Sequence, residues 1–224
     1  MIVAENLTKI YRIGDRDIEA VVDVGFKIED GEFVSIVGHS GSGKTTLLSM
    51  IGGLTKPTRG RVLIDDVDIW SLSETELSTL RNEKIGFMFQ FSSLIPTLTA
   101  LENVMLPATF SHNKKWDVAV RGEEMLDLVE LSHRINSYPS QLSGGEQRRV
   151  AIARALINKP KIILADEPTG DLDHETERDV MDLFLKINKE FGTTFLLVTH
   201  NPDLAKKAER RLVMDQGRII EDSR

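Results

Sequence analysis

Cysteine is absent from the 224 residues. That excludes disulfide staples and Cys-ligated metal centres, although it does not fix the redox compartment. Long apolar runs are missing too. The longest, such as Phe195-Leu196-Leu197-Val198, are strand-length, far short of the ~20 residues that a membrane-spanning helix needs. The start, Met1-Ile2-Val3-Ala4-Glu5-Asn6, lacks a basic head followed by a long apolar stretch, so no signal peptide is expected. The expectation is a soluble, cytoplasmic chain whose membrane role, if any, comes through a partner. A basic excess is lacking as well: 28 Lys and Arg face 35 Asp and Glu, for a net charge of −7. A general nucleic-acid binder needs a positive surface. No nucleic-acid partner is therefore expected, with room only for a local basic patch. Repeats and low-complexity tracts are absent as well.

What is present suits one large domain or two closely joined lobes. The first third reads mostly as strands, at Val21–Ile28, Glu32–Val37 and Arg61–Ile69, with a turn at Asp30-Gly31. Lys44 to Ile51 turns helical after a Gly-rich loop. From about Ser73 to Ser137 the pattern is helical and irregular. Thr99 is placed to cap a helix beginning at Ala100, with Glu102 in capping-box position, and Trp116–Leu131 has apolar residues at helical spacing. This stretch is read as an inserted helical lobe. The last third alternates: helix Gly144–Asn158, strand Lys161–Ala165, helix Glu175–Lys189, strand Thr193–Thr199, a short helix from Pro202, and a hairpin of Arg211–Met214 with Arg218–Glu221 about Gln216-Gly217. Such alternation predicts an α/β fold with a parallel sheet, whose ligands sit at the carboxyl ends of the strands.

Gly38-His39-Ser40-Gly41-Ser42-Gly43-Lys44-Thr45 fits GxxxxGK[ST] between a strand and a helix, followed by Thr46. Its glycines let backbone N–H groups curl into an anion nest at a helix N-terminus. Lys44 would reach the β- and γ-phosphates, and the Thr45 hydroxyl would coordinate Mg²⁺. A chance match in such a chain is on the order of 1 in 100, and the strand–loop–helix context lowers it further. Ile162-Ile163-Leu164-Ala165-Asp166-Glu167 is an apolar strand ending in two carboxylates. Asp166 suits a Mg²⁺ shell, and Glu167 can orient or deprotonate an attacking water. Beside a phosphate loop, this pair points to hydrolysis of a nucleoside triphosphate.

Leu142-Ser143-Gly144-Gly145-Glu146 resembles the LSGGQ signature of the ABC ATPases. Ser143 and Glu146 have capping-box spacing before two exposed glycines. The order phosphate loop, Gln90, signature, acidic strand, Asp173, His200 resembles that family from end to end. The resemblance implies a P-loop NTPase of the ABC ATPase fold: a parallel-sheet core, an antiparallel β subdomain and an inserted helical subdomain. Residues 1–90 and 160–224 would form the first two and residues 91–159 the third, within one domain over 1–224. It also implies ATP and Mg²⁺, with Tyr11 stacking on adenine, Gln90 approaching the metal and His200 contacting the γ-phosphate. Asp171-Leu172-Asp173 resembles the D-loop. Taken alone, Tyr11 is a strand-end packing residue, Gln90 a polar strand end, His200 a helix-entry residue and Asp173 a helix cap.

In that family Ser143 and Gly145 complete the site of a second subunit, so a head-to-tail homodimer is implied. An integral membrane permease subunit is implied as partner. The segment Leu94–Val104 and the stretch Arg12–Asp17 resemble the lipoprotein-releasing and macrolide-export branch, which implies export or extraction of a lipophilic or peptide-like substrate. The cell-division ATPase of the same branch, with a non-transporting membrane partner, is the alternative. A soluble ABC ATPase is a more distant one. Departures from the pattern are small: His39 occupies a variable position, Glu146 replaces Gln, and Phe91 follows Gln90.

Overall fold

The computed structural model describes residues 1–111, 116–170 and 172–223. Strands β1 (Ile2–Ile13), β2 (Arg16–Ile28), β4 (Arg59–Ile64) and β5 (Val67–Asp68) form an antiparallel sheet in the order β2-β1-β4-β5. A second sheet of six runs β10-β9-β3-β8-β7-β6, where β3 is Phe33–Val37, β6 Ile85–Met88, β7 Ile162–Asp166, β8 Thr194–Val198, β9 Arg210–Asp215 and β10 Arg218–Ser223. Five of its strands are parallel; only β10 runs against its neighbour β9.

Alternation along the central strands feeds two cores, as the pleat requires. Phe33, Ile163, Ala165, Phe195 and Leu197 face one side, and Val34, Ile36, Ile162, Leu164, Leu196 and Val198 the other. Because both faces are covered, these strands read as continuous apolar runs. The second side packs on the antiparallel sheet and on α1 (Lys44–Ile51), which buries Leu47, Leu48, Met50 and Ile51. The first side takes α6 (His174–Phe191), where Val180, Met181, Phe184 and Ile187 recur at helical spacing. Phe184 lies 5.4 Å from Phe195, which stacks at 5.0 Å on Phe33. Asp173 caps α6, and Gly192, at φ 64°, ends it.

The same core continues into α3 (Ala100–Thr109), α4 (Val118–Leu128) and α5 (Gly144–Leu156), which pack on one another. The capping box of Thr99 with Glu102 is present as read from the sequence. Asp117 caps α4, which starts and stops inside the expected Trp116–Leu131. Here the structure also corrects two readings. Arg61–Ile69 is not one strand, because Asp65 and Asp66 both adopt positive φ, 51° and 64°. They reverse the chain so that Ile64 pairs with Val67. The stretch from Ser73 is not helical throughout. After α2 (Glu74–Lys84), capped by Ser73, β6 joins the parallel sheet at its edge. Gly86 allows α5 to lie directly on that edge, since a Cβ there would come 2.4 Å from the Ala155 carbonyl oxygen.

Asp65 ties these parts together. Its carboxylate accepts from Lys84 Nζ at the end of α2 (2.6 Å), Lys161 Nζ before β7 (3.2 Å) and the amino group of Met1 (3.2 Å). Lys84 foremost, then Lys161 and the amino group, hold its pKa far below the ordinary carboxylate range against the opposing effect of burial. A carboxylate with a depressed native pKa contributes stability above its unfolded pKa of about 3.9, and loses it as pH falls through the native value. Asn accepts the left-handed backbone of this turn. Asp65→Asn should therefore lower unfolding free energy by roughly 1 kcal/mol at pH 7, water screening keeping the effect small. In urea titrations the gap to wild type should hold above about pH 5 and close below about pH 4.

Candidate functional site

The register of the parallel sheet sets the site. Ile36 pairs with Val198, and Val198 with Asp166. The loops leaving β3, β7 and β8 therefore start at one level, and Met88 opposite Ala165 brings the segment after β6 to the same edge.

The loop after β3 carries residues 38–43. Gly38, Gly41 and Gly43 have φ of 155°, 80° and 101°, a region that favours glycine. Space makes the same demand at two of them. A Cβ would come 2.2 Å from the Met214 carbonyl oxygen at Gly38, and 2.1 Å from that of Ala20 at Gly43. Gly217, in the β9–β10 turn, donates its N–H to the Ser42 carbonyl at 3.0 Å and accepts from Val22 N at 2.8 Å. The C-terminal hairpin and β2 thus hold the loop from outside. His39 and Ser40 remain solvent-facing.

The start of α1 is left open inside this loop. Ser73, Thr99, Ser143 and Asp173 cap α2, α3, α5 and α6 with side-chain oxygens, but Gly43 gives α1 none. The first N–H groups of a helix have no intrahelical acceptors, so an anion is the natural cap here. Lys44, buried at 7% exposure, folds back onto the loop, donating from Nζ to the carbonyls of Gly38 (2.8 Å) and His39 (3.0 Å). Ser42 Oγ is buried with no hydrogen-bond partner among the described residues. An orphan hydroxyl, an uncapped helix and an ammonium group around a glycine cradle fit a polyphosphate.

Thr45 Oγ1 donates to Asp166 Oδ1 at 3.1 Å, joining α1 to the end of β7. Burial raises the Asp166 pKa; Thr45 opposes it by hydrogen bonding, Glu167 adds to it as a neighbouring negative charge, and Lys44 opposes it. Thr46 follows in the first turn of α1. Glu167 sits at φ 47°, unusual for a side chain of its size, with its N–H donating to Val198 O at 2.9 Å. The turn directs its carboxylate to His200, whose Nδ1 lies 2.8 Å from Oε2.

Gln90 is exposed after β6, and its backbone, not its side chain, carries the resolved contacts. Arg148 of α5 donates to the carbonyls of Phe89 (2.8 Å) and Gln90 (2.6 Å), and Arg154 to those of Ser92 (2.8 Å) and Ser93 (2.7 Å). Burial lowers the Arg154 pKa. Sequence reasoning missed this clamp. Its signal was Arg154 within the otherwise apolar run Val150–Leu156, with Arg148 just ahead of that run, since a buried cation must find acceptors.

Ser143 caps α5. Its Oγ accepts from Glu146 N at 3.2 Å, while Glu146 Oε2 accepts from Ser143 N at 2.8 Å and Oε1 from Arg134 Nε at 2.9 Å. These bonds, that of the Ser143 backbone first and with Arg134 contributing, hold the Glu146 pKa low against the opposing effect of burial. Gly144 faces open space, and Gly145 packs so that a Cβ would meet Thr176 Cγ2 at 2.8 Å. Asp173 accepts from Glu175 N, Thr176 N and Thr176 Oγ1, which lower its pKa, Thr176 foremost. The Asp173 side chain is thus occupied as a helix cap. Asp171 lies outside the described residues. Tyr11 pairs with Ile18 across the β1–β2 hairpin, 38% exposed, with Lys9 Nζ 5.1 Å from its ring centroid. It is not a buried packing residue.

The chain therefore brings residues 38–46, Asp166, Glu167 and His200 together. Among the described residues, no hydrogen bond or ion pair links Ser143–Glu146 to them. The loop geometry gives a direct test. Gly43→Ala requires both a left-handed alanine, costing ~1–2 kcal/mol, and displacement of the Ala20 carbonyl. Titration with a fluorescent ATP analogue should show affinity reduced by at least about tenfold, whereas Gly41→Ala, facing open space, should lose less.

A family model described as ABC transporter matches residues 21–170. The chain is 45% identical over 219 residues to the lipoprotein-releasing system ATP-binding protein LolD of Bordetella pertussis, covering 98% of this chain and 95% of that one. A dimeric post-hydrolysis structure of the ATP-binding cassette MJ0796 with ADP and Pi superposes with a TM-score of 0.93 at 46% identity, covering 100% of this chain and 98% of that one. CbiO1 from Clostridium perfringens, part of the ABC transporter complex CbiONQ, gives 0.88 at 30% identity, covering 99% and 87%. With an ABC ATPase fold and a model match over more than half its length, this chain belongs to the ABC transporter family, as an ATP-binding subunit that hydrolyses ATP.

Proposed function

We propose that two copies of this chain sandwich two MgATP molecules head to tail and use their hydrolysis to drive a separate membrane subunit. The observation carrying this reading is the division of the site. Phosphate loop, Asp166, Glu167 and His200 converge, while Ser143–Glu146 opens α5 elsewhere with its outer face free. The MJ0796 cassette is dimeric in its solved structures, and a second copy here would bring Ser143 and Gly145 to the γ-phosphate. The parts divide accordingly: residues 1–90 and 160–224 hold the nucleotide, and 91–159 present the signature.

Within one site, Lys44 and the loop N–H groups hold the phosphates, and Tyr11 offers its free ring face to adenine. Two hard oxygens, Thr45 Oγ1 and Asp166 Oδ1, stand 3.1 Å apart. They fit Mg²⁺, which takes one or two protein oxygens beside phosphates and water; Gln90 would join through its side-chain oxygen. The bound ion would neutralise charge on the β- and γ-phosphates. Glu167 Oε2 accepts the proton of the attacking water or orients it. His200, already 2.8 Å away, would hold that carboxylate through Nδ1–H and, as the imidazolium with a second N–H at Nε2, donate toward the γ-phosphate. Asp173 braces the α6 end beside the signature.

The chain has no helix long and apolar enough to cross a membrane among the described residues. A cavity of about 770 Å³ lies away from the phosphate loop, lined by Leu54, Arg81, Phe87, Phe89, Phe110 and Arg154 among others. Phe110 and Phe89 are exposed there, at 69% and 45%. This groove would seat a segment of the membrane subunit on the cytoplasmic side, next to the arginine-clamped loop. Similarity to LolD favours export or extraction of a lipophilic or peptide-like substrate. The cell-division type, with a non-transporting partner, is the alternative.

Glu167→Gln should bind MgATP, lose at least roughly 100-fold in turnover and elute as a dimer with ATP on size exclusion. Wild-type turnover would contradict the task given to Glu167. Phe110→Glu should leave basal ATPase activity within about twofold, because it lies outside the site, yet abolish co-sedimentation with native membranes.

A further inference from the structure

Glu177 is a buried carboxylate to which the scheme above assigns no task. It lies one turn into α6, at 9% exposure. Its two oxygens serve two different loops. Oε1 accepts from Thr169 Oγ1 and Oε2 from Asn201 Nδ2, each at 3.0 Å. Thr169 is two residues past Glu167, in a turn closed by Gly170 N donating to Glu167 O at 3.2 Å. Asn201 directly follows His200. Its N–H donates to Thr199 Oγ1 at 3.0 Å, and its Oδ1 accepts from Asp203 N at 2.9 Å, capping α7 (Pro202–Ala205). One side chain therefore grips the loops that carry both partners of the 2.8 Å Glu167–His200 contact.

Helix capping does not explain it, because Asp173 already caps α6. Burying a carboxylate carries a desolvation cost that only paired hydrogen bonds offset. The positive end of α6 offsets part of that cost. His174 Nδ1 stands 3.7 Å from Oε2 on a ring that is 96% exposed, so it contributes little. An apolar side chain would bury here without such a cost, but would tether neither loop.

We propose that Glu177 is a positioning residue, which fixes the separation of Glu167 from His200 by holding Thr169 and Asn201. This rests on Glu167 and His200 being the hydrolytic pair. Among the described residues, no hydrogen bond joins Glu177, Thr169 or Asn201 to residues 38–46, so the bridge acts on turnover and leaves ATP binding alone. A misplacement of about 1 Å at a reacting centre costs up to roughly 100-fold.

The test is steady-state ATPase kinetics, ATP binding and thermal midpoints for E177A, N201D, E177Q/N201D, E167Q and H200A. N201D keeps an oxygen to cap α7 but sets a second carboxylate against Glu177, where like charges repel. Adding E177Q restores the pair: the new amide donates to the new carboxylate, and its oxygen still accepts from Thr169. E177A and N201D should lose roughly tenfold or more in kcat with KM for ATP within about twofold, and the double variant should recover to within about threefold of wild type. Should E177A fail to fold, the two variants that preserve side-chain volume carry the test. Wild-type kcat in N201D, a double variant as slow as N201D, or a loss expressed in KM would each overturn the bridge. Inactive E167Q and H200A beside a fully active N201D would overturn the bridge alone. Wild-type turnover in E167Q and H200A would instead overturn the assignment of the pair, and the proposal with it.

Discussion

The hydrogen-bonded register of β3, β7 and β8 governs the rest of the structure. Parallel strands in register end at one level, so Val37, Asp166 and Val198 release their loops side by side. Everything that touches phosphate or water then needs only a short excursion from a rigid edge. A register slip of one residue would exchange the two core faces. It would send Phe33 and Phe195 into the antiparallel sheet and misplace the Glu167 N–H that now donates to Val198. Core packing and site geometry are therefore fixed by the same bonds. The left-handed backbone at Glu167 is tolerated because strands on either side hold it.

From this frame the helical part is attached through carbonyl groups. Arg148 and Arg154 bind four successive or near-successive carbonyls between Phe89 and Ser93. Charge-assisted bonds of this kind are among the stronger ones available, and they place the start of α5 and the Gln90 loop on one rigid unit. The groove lined by Phe89 and Phe110 borders the same unit. A shift of Gln90 on nucleotide binding would thus reach both the signature end of α5 and the groove through packed elements and hydrogen bonds.

The sequence made the parallel strands legible because burial on both faces leaves little but apolar residues, and their ends stood out as Gly38, Asp166 and His200. The caps at Thr99 and Ser143 were legible for a local reason: each is closed by the glutamate three residues on. What could not be read was contact between distant segments. Nothing near residue 43 announces that Ala20 and Met214 press on the loop, and nothing near 217 that its N–H supports Ser42. The turn at Asp65-Asp66 was hidden for a different reason. Alternation holds on either side of it but changes phase across the two aspartates, from Val62 and Ile64 to Val67 and Ile69. Reading Arg61–Ile69 as one run passed over that change, where two left-handed residues make a hairpin. Edge strand β6 was legible only as the short apolar run that Gln90 ends, within a stretch otherwise read as helical.

The one departure from the signature pattern is accounted for by the same local bonding. A glutamate in place of glutamine beside a γ-phosphate would set like charges together, unless its charge were already spent. Here it is: the Glu146 carboxylate accepts from the Ser143 N–H and from Arg134, with its pKa held low by those bonds. The Ser143 hydroxyl accepts from Glu146 N, and a hydroxyl has one donor in addition to its acceptor sites. Its proton remains available to a phosphate oxygen on the side that Gly144 leaves open. The end of α5 is therefore a donor surface with its negative charge turned inward. The open, uncapped α1 of a second copy is another, so a phosphate chain held between them would satisfy both. A single chain holds both surfaces, with no hydrogen bond or ion pair joining them among its described residues, which is the arrangement a head-to-tail pair requires.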